Sequence, residues 1–208
     1  MKEELTIKDI DLFFIERTAI HEPGHAIMCL YYGFNFQFVT IEPGFSDINR
    51  GLVRRIIKFW EHNQLIERNE RYLKANCIES LAGIVCEYKM GYIEDCVDLT
   101  EYLYEIFFES FDGSDLSDVD FIYEKIDTYF SYKYPNTNIT YKRLLNYFKK
   151  IVSETILKFT DINGKDTELW NYVLLLSEEL LKKHRLEYDE VCALIPNLKG
   201  RSSINQKT

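Results

Sequence analysis

Residues 9–33, DIDLFFIERTAIHEPGHAIMCLYYG, contain the pattern on which the prediction of the fold rests. Their apolar side chains recur at three- and four-residue spacing, which is typical of an α-helix with one face against a core. Gly33 follows the last apolar residue and is a common helix stop. The spacing predicts a long helix from about Asp9 to Tyr32. A bend is expected at Pro23, because proline removes the backbone hydrogen bond to the carbonyl of Ala19.

The same helix carries the segment HEPGH, in which His21, Glu22 and His25 form an HExxH arrangement. Residues four apart lie one above the other on a helix, so both imidazoles can reach one metal ion. Glu22 is too close in sequence to act as a ligand, but it is placed to accept a proton from a metal-activated water. The segment therefore predicts a zinc site with Glu22 as general base. The alternative is that the two histidines only pack on the helix.

A catalytic zinc takes three protein ligands, so a third ligand must come from outside this motif. The residue six positions after His25 is Tyr31, which excludes a third histidine there. Cys29 lies two helical turns from His21, too far to share its ion, and is expected in the core. The residues alone do not choose among the remaining candidates, which are carboxylates: Glu79, Glu87 and Asp118.

The rest of the chain predicts a mainly helical domain with a small β element. Two short segments rich in β-branched and aromatic residues, FQFVTI at 36–41 and LVRRII at 52–57, predict paired strands. Further helices are expected where apolar residues recur with helical spacing, at about 69–89, 93–112, 117–132, 140–159 and 166–184. We predict one domain of mainly α (α+β) class over residues 1–200, and a polar, disordered tail over residues 201–208.

Charge and composition argue against several classes of partner. The net charge of −9, with Lys and Arg dispersed among acidic residues, argues against nucleic acid. No stretch approaches the roughly 18 apolar residues that span a bilayer, and the start of the chain is acidic where a signal peptide is basic. We therefore expect a cytoplasmic protein with no membrane span. The five cysteines include no CxxC pair and are expected as reduced thiols.

Five blocks resemble the peptidase domain of the FtsH family, the membrane-anchored AAA proteases, and they occur in the same order. TAIHEPGHAIM is similar to the family's zinc helix, and FVTIEPG followed by GLVRR is similar to its VxIxPRG region. ESLAGIVCEYKMG resembles the LGGRAAE helix, SDVDFI the SNDLxxAT segment, and LWNYVLLLSEELLKKHRLEYDEV the closing helices. The resemblance implies a zincin-like helical metallopeptidase domain. It also implies that Asp118 is the third zinc ligand, with Asp115 in SDLSDV as the competing match.

The motif and the resemblance together predict a zinc-dependent metalloendopeptidase with a polypeptide substrate. The strand from Phe36 to Ile41 is expected to offer a free edge to which an extended peptide binds. The sequence has no GxxxxGKS/T phosphate loop, so an ATPase that unfolds substrates would be a separate partner. An aromatic face is a candidate surface for a homo-oligomer: Tyr102, Tyr104, Phe107 and Phe108.

The alternative function is a non-catalytic zinc-binding adaptor, an interaction domain derived from such a peptidase. The missing ATPase and Pro23 favour it. Glu22 argues against it, because a purely structural zinc site has no use for a general base.

Overall fold

Helices dominate the computed structural model of the protein, which describes residues 7–42, 51–56, 59–93, 98–109 and 117–198. In chain order the elements are α1 (Ile7–Tyr32), β1 (Phe36–Thr40), β2 (Leu52–Arg55), α2 (Phe59–Arg68), α3 (Glu70–Met90), α4 (Leu99–Glu109), α5 (Ser117–Lys133), α6 (Tyr141–Phe159), α7 (Glu168–Lys183), β3 (Arg185–Glu187) and α8 (Tyr188–Leu194). The prediction of a mainly α fold with a small β element is confirmed. No helix in these ranges is long and apolar enough to cross a bilayer.

The long helix α1 contains Pro23 in its interior and continues through it as a single element. Gly33 follows its end with a φ of 76°, the left-handed conformation that glycine adopts without strain. The second half of α1 is buried, with every residue from 26 to 30 at most 1% exposed. The predicted helix is confirmed, and the proline leaves both histidines of the motif on the same helix.

The helix α3 lies at the centre of the domain and packs against α1, α2, α5 and α6. Asn69 caps its start by accepting a hydrogen bond from the backbone N–H of Tyr72, and Gly91 ends it with a φ of 83°. The sequence predicts this helix with one apolar side, but the structure also buries polar residues on it, among them Asn76, Glu79 and Glu87. Buried polar groups need partners, and α1 and β2 supply most of them.

The three strands form an antiparallel sheet in the order β2-β1-β3. Val39 of β1 lies opposite Val53 on one side and Leu186 on the other. Because β1 is the middle strand, the prediction that residues 36–41 offer a free edge is wrong. The strand that covers this edge, β3, has three residues and follows α7 directly, which is too short for a recognisable strand pattern.

The helix expected within residues 93–112 is confirmed as α4, whereas the sequence analysis did not predict α2. Tyr102 and Tyr104 are half-buried against the core, and the side chains of Phe107 and Phe108 lie outside the described part, so self-association stays a prediction. Four cysteines are confirmed as free thiols: Cys29, Cys77, Cys86 and Cys192. The tail 201–208 also lies outside the described residues.

Candidate metal centre

The helix α1 brings the two histidines of the motif together. The Nε2 atoms of His21 and His25 are 2.9 Å apart, and the ring centres are 4.7 Å apart. This follows from the four-residue spacing on one helix, which places the second ring one turn above the first. The same nitrogen of each imidazole therefore points toward one common position.

The opposite ring nitrogens are fixed by α3. His21 Nδ1 lies 2.7 Å from Oε1 of Glu87, and His25 Nδ1 lies 2.7 Å from the backbone carbonyl oxygen of Glu79. A carbonyl oxygen only accepts, so the Nδ1 of His25 must donate. Burial raises the pKa of Glu87, but hydrogen bonds and charges from His21 and Arg17 outweigh it and lower the pKa below its usual value. Glu87 is therefore an ionised acceptor, and His21 also donates through Nδ1.

This arrangement fits zinc by its donor chemistry. With Nδ1 carrying the hydrogen, a neutral imidazole has its lone pair on Nε2, and two such nitrogens at 2.9 Å repel unless they share a proton or a metal ion. Two nitrogens on a tetrahedral zinc, each at about 2.0–2.1 Å, are about 3.3 Å apart, so the rings need only open slightly. An N–H donated to a carboxylate or carbonyl behind the ring is the usual support of a zinc-binding histidine.

Two glycines create the space for the histidine pair. A Cβ atom at Gly83 of α3 would lie 2.6 Å from Nε2 of both His21 and His25. A Cβ atom at Gly24, between the two histidines in α1, would lie 2.7 Å from the backbone oxygen of Ala82. Both glycines therefore allow α1 and α3 to approach closely at the level of the rings. A glycine inside a helical pattern is the sequence signal that points to such an approach.

Glu79 and Glu87, which the sequence leaves open as third ligands, both lie on the Nδ1 side of the imidazoles. The second oxygen of Glu87 is bound by Arg17 at 2.7 Å, and Oε2 of Glu79 is bound by Arg55 at the same distance. Each carboxylate therefore forms an ion pair with an arginine and lies near the Nδ1 atom of an imidazole, on the side opposite to the paired Nε2 atoms. The geometry suits them to orienting the histidines.

Asp118 lies in the first turn of α5, as the sequence predicts. Its side chain, and Asp115 as a whole, lie outside the described residues. Among the described side chains, no group of three His, Cys, Asp or Glu residues is arranged to hold a metal ion. The third ligand therefore stays a prediction.

Glu22, the predicted general base, is 7% exposed. Gly51, the residue before β2, lies directly against it: a Cβ atom there would be 2.5 Å from Oε1 of Glu22 and would also meet a methyl carbon of Thr18. The start of β2 is thereby placed beside the carboxylate of the motif. Sequence reasoning missed this contact, because nothing local links Gly51 to a helix that lies earlier in the chain.

A buried polar layer joins the sheet to α3 next to this centre. Arg55 of β2 donates from Nη1 to Glu79 at 2.7 Å and to Oδ1 of Asn76 at 3.5 Å, and its guanidinium lies 4.4 Å from the ring centre of Phe34. The Nε of Arg55 and the Nδ2 of Asn76 are buried and have no hydrogen-bond partner among the described residues. No local sequence pattern signals this layer, because it depends on contacts between β2 and α3.

Cys29 is buried, and its Sγ lies 3.6 Å from Oε1 of Glu79. Burial, and then the negative charge of Glu79, raise the pKa of this thiol well above its usual value. Cys29 is therefore a protonated core residue, as predicted, and not a thiolate ligand.

No protein-family model matches the chain, and no curated protein matches it. The resemblance to the FtsH peptidase domain therefore stays a prediction from the sequence blocks.

Proposed function

We propose that the protein is a zinc-dependent metalloendopeptidase that hydrolyses polypeptides, with an FtsH-peptidase-like, zincin-type domain. The observation that carries the proposal is the pair of Nε2 atoms at 2.9 Å on α1, with each Nδ1 already donating to α3. This arrangement matches the chemistry of a zinc-binding histidine pair, including its outer hydrogen bonds. Glu22, which follows His21 directly in α1 and is 7% exposed, supports a hydrolytic role.

In this proposal His21, His25 and Asp118 hold the zinc. Zinc held by these residues would supply Lewis-acid chemistry, lowering the pKa of a water toward about 7 and polarising the scissile carbonyl. The carboxylate of Glu22 accepts a proton from the attacking water and delivers it to the leaving amine nitrogen. Because Gly51 lies against this carboxylate, Glu22 is held in place on the side of the sheet.

Glu87 and Glu79 keep the two imidazoles in the tautomer that presents Nε2. Glu87 does so with its carboxylate, which Arg17 fixes from the far side, and Glu79 does so with its backbone carbonyl. The side chain of Glu79 is free for a second task, which is to bind Arg55 of β2. The histidine pair is thus oriented by two residues of one rigid helix.

We place the substrate at the outer edge of β2 instead of β1. Among the described residues, β2 pairs with a strand on one side only, and Gly51 at its start touches Glu22. An extended peptide that pairs with this edge through backbone hydrogen bonds would run directly past the general base.

The test is the variant Glu22→Gln, compared with Glu178→Gln on the surface of α7. Zinc content is measured by elemental analysis, and hydrolysis is measured with an already unfolded, fluorophore-labelled polypeptide, so that no ATPase is needed. We expect zinc to remain in Glu22→Gln while hydrolysis falls by about 10²- to 10⁴-fold, and Glu178→Gln to match the native chain in both. Loss of zinc together with hydrolysis in Glu22→Gln would contradict the role of general base.

The same measurements separate the peptidase from the adaptor. A native chain that binds zinc through His21 and His25 but cleaves no unfolded polypeptide would favour the non-catalytic zinc-binding domain. A native chain that takes up no zinc would contradict both functions.

A further inference from the structure

A second feature of the molecule is an open cleft of about 450 Å³ between the end of α5 and the start of α6. Tyr129, Phe130 and Tyr134 line one side, and residues of α6 line the other. Asp118 and Lys133 are at opposite ends of α5, about 22 Å apart along the helix axis, so the cleft is separate from the proposed metal centre. Its volume is in the range of small-molecule sites.

The cleft is cationic, although the chain has a net charge of −9. Four cationic side chains line it: Lys133, Lys142, Arg143 and Lys150. The one carboxylate in the lining, Glu70, is already bound by Nζ of Lys133 at 2.9 Å and by the hydroxyl of Tyr129 at 2.8 Å. Within the described part of the chain, no carboxylate neutralises the other three cations. The cleft therefore has unbalanced positive charge.

Arg143 is held in position by aromatic rings. Its guanidinium carbon lies 4.0 Å from the ring centre of Tyr134 and 5.0 Å from that of Phe130. These two rings are themselves stacked at 6.0 Å. Cation–π contacts use the face of the planar guanidinium and leave its N–H edge for an acceptor. A pre-oriented guanidinium of this kind suits the oxygens of a phosphate.

Two further features favour an oxygen-rich anion in the cleft. The hydroxyl oxygen of Tyr147, a lining residue, is buried and has no hydrogen-bond partner among the described residues, which costs free energy unless a ligand accepts a hydrogen bond from it. Thr140 at the start of α6 makes no side-chain cap bond, and the first turn contains no acidic residue. The partial positive charge of this helix start therefore adds to that of the side chains.

We propose that this cleft binds a small molecule that carries a phosphate monoester, with the phosphate at Arg143, Lys142 and Lys150. A phosphate monoester offers close to two negative charges and three acceptor oxygens, whereas a carboxylate offers one charge and two oxygens. The three cations, which have no carboxylate partner in the described part of the chain, the helix start and the buried hydroxyl together match the two charges and three oxygens of a phosphate monoester. The aromatic lining leaves room for a ring attached to the phosphate.

The test is titration calorimetry of the full chain at low ionic strength with three probes: adenosine 5′-monophosphate, inorganic phosphate and adenosine. We expect the two phosphate-bearing probes to bind and adenosine not to bind. The difference between the monophosphate and inorganic phosphate measures what the ring adds. Absence of binding by both phosphate-bearing probes, or equal binding of adenosine, would overturn the proposal. An acidic peptide that binds more tightly than either would overturn it in favour of a protein ligand.

Variants of the cleft locate the binding. Arg143→Gln should lower the affinity for the monophosphate by about tenfold or more, and Lys150→Gln should lower it by a few-fold. The control is Lys182→Gln, which removes the same charge from an exposed lysine of α7 that pairs with Glu179 at 2.8 Å. If Lys182→Gln lowered the affinity as much as the cleft variants, the binding would come from the overall charge of the protein, and the site would be refuted.

Tyr147→Phe provides a second test in case Arg143→Gln does not fold. Because this buried hydroxyl has no partner within the described ranges, its removal should leave the melting temperature of the ligand-free protein unchanged or higher, while the affinity for the monophosphate falls. Unchanged affinity in both Tyr147→Phe and Lys150→Gln would reject the proposal. None of these readouts involves zinc or hydrolysis, so the two proposals can fail independently.

Discussion

Replacing Glu87 by glutamine tests whether this carboxylate acts on zinc through His21. The change keeps the size of the side chain and removes its charge. The bond from His21 Nδ1 to Oε1 is 2.7 Å long, and the Glu87 side chain is 6% exposed, so the bond is a charge-assisted one that forms away from water. Such bonds contribute about 1.5–3 kcal/mol and neutral ones about 0.5–1.5 kcal/mol. The ring is then held more weakly by about 1–1.5 kcal/mol, which corresponds to about tenfold in zinc affinity.

The assay is competition for zinc with a chromogenic chelator, with Glu70→Gln as the matched control. Glu70 begins the same helix and pairs with Lys133 at 2.9 Å, so it offers the same chemistry at the other end of α3. We expect the dissociation constant of zinc to rise by about tenfold in Glu87→Gln and to stay unchanged in the control. A change below about twofold, or an equal change in Glu70→Gln, refutes the reasoning. If Glu87→Gln lost zinc binding as completely as a variant without a ligand histidine, His25→Ala, Glu87 would itself be a ligand.

Three further predictions follow from single residues. Gly83→Ala should abolish zinc binding while circular dichroism stays helical, because the new Cβ would lie 2.6 Å from both Nε2 atoms; full zinc content would contradict the close packing. Phe148→Ala removes a side chain that is 0% exposed, so urea unfolding should show that the free energy of unfolding falls by about 3–5 kcal/mol. A fall under about 1 kcal/mol would mean that neighbouring side chains move in and fill the cavity. Burial, and then the charges of Lys125 and Arg55, lower the pKa of His62 to about 4 from 6.5, so between these pH values the unfolded chain binds more protons and stability falls as pH falls. Because the ring is half-exposed, we expect the free energy of unfolding of the native chain to fall by only about 1–2 kcal/mol between pH 6.5 and pH 4. This fall should be absent in His62→Gln. Equal slopes of stability against pH in the two proteins would reject this cause.

The long helices were predictable because their signals are local. Apolar spacing of three and four residues placed α1, α3, α6 and α7 to within a few residues of their observed ends. The ends themselves follow from caps next to each helix, such as Asn69 and Gly91 around α3. The histidine pair was predictable for the same reason, since four residues of one helix decide its geometry.

The features that the sequence did not predict depend on residues far apart in the chain. The oxygen that fixes the His21 tautomer belongs to Glu87, which is 66 residues away. The free edge was assigned to β1 because β3 comes after α7 and is only three residues long. The contact of Gly51 with Glu22 likewise requires the sheet to fold back onto α1. No local pattern encodes such contacts, because they exist only when the helices have packed.

The buried carboxylate of Glu87 has a role at the histidine pair, whereas that of Glu79 is bound by Arg55 of β2. A buried ion pair such as Arg55 with Glu79 often contributes no more than apolar residues of the same volume, because both charges lose their hydration. The two acidic residues differ at the histidines: the carboxylate of Glu87 accepts the Nδ1 hydrogen of His21, whereas the backbone carbonyl of Glu79 accepts that of His25. Packing alone does not favour two neutral imidazoles whose Nε2 atoms face each other at 2.9 Å. The same arrangement is what the proposed zinc site requires of its two histidines.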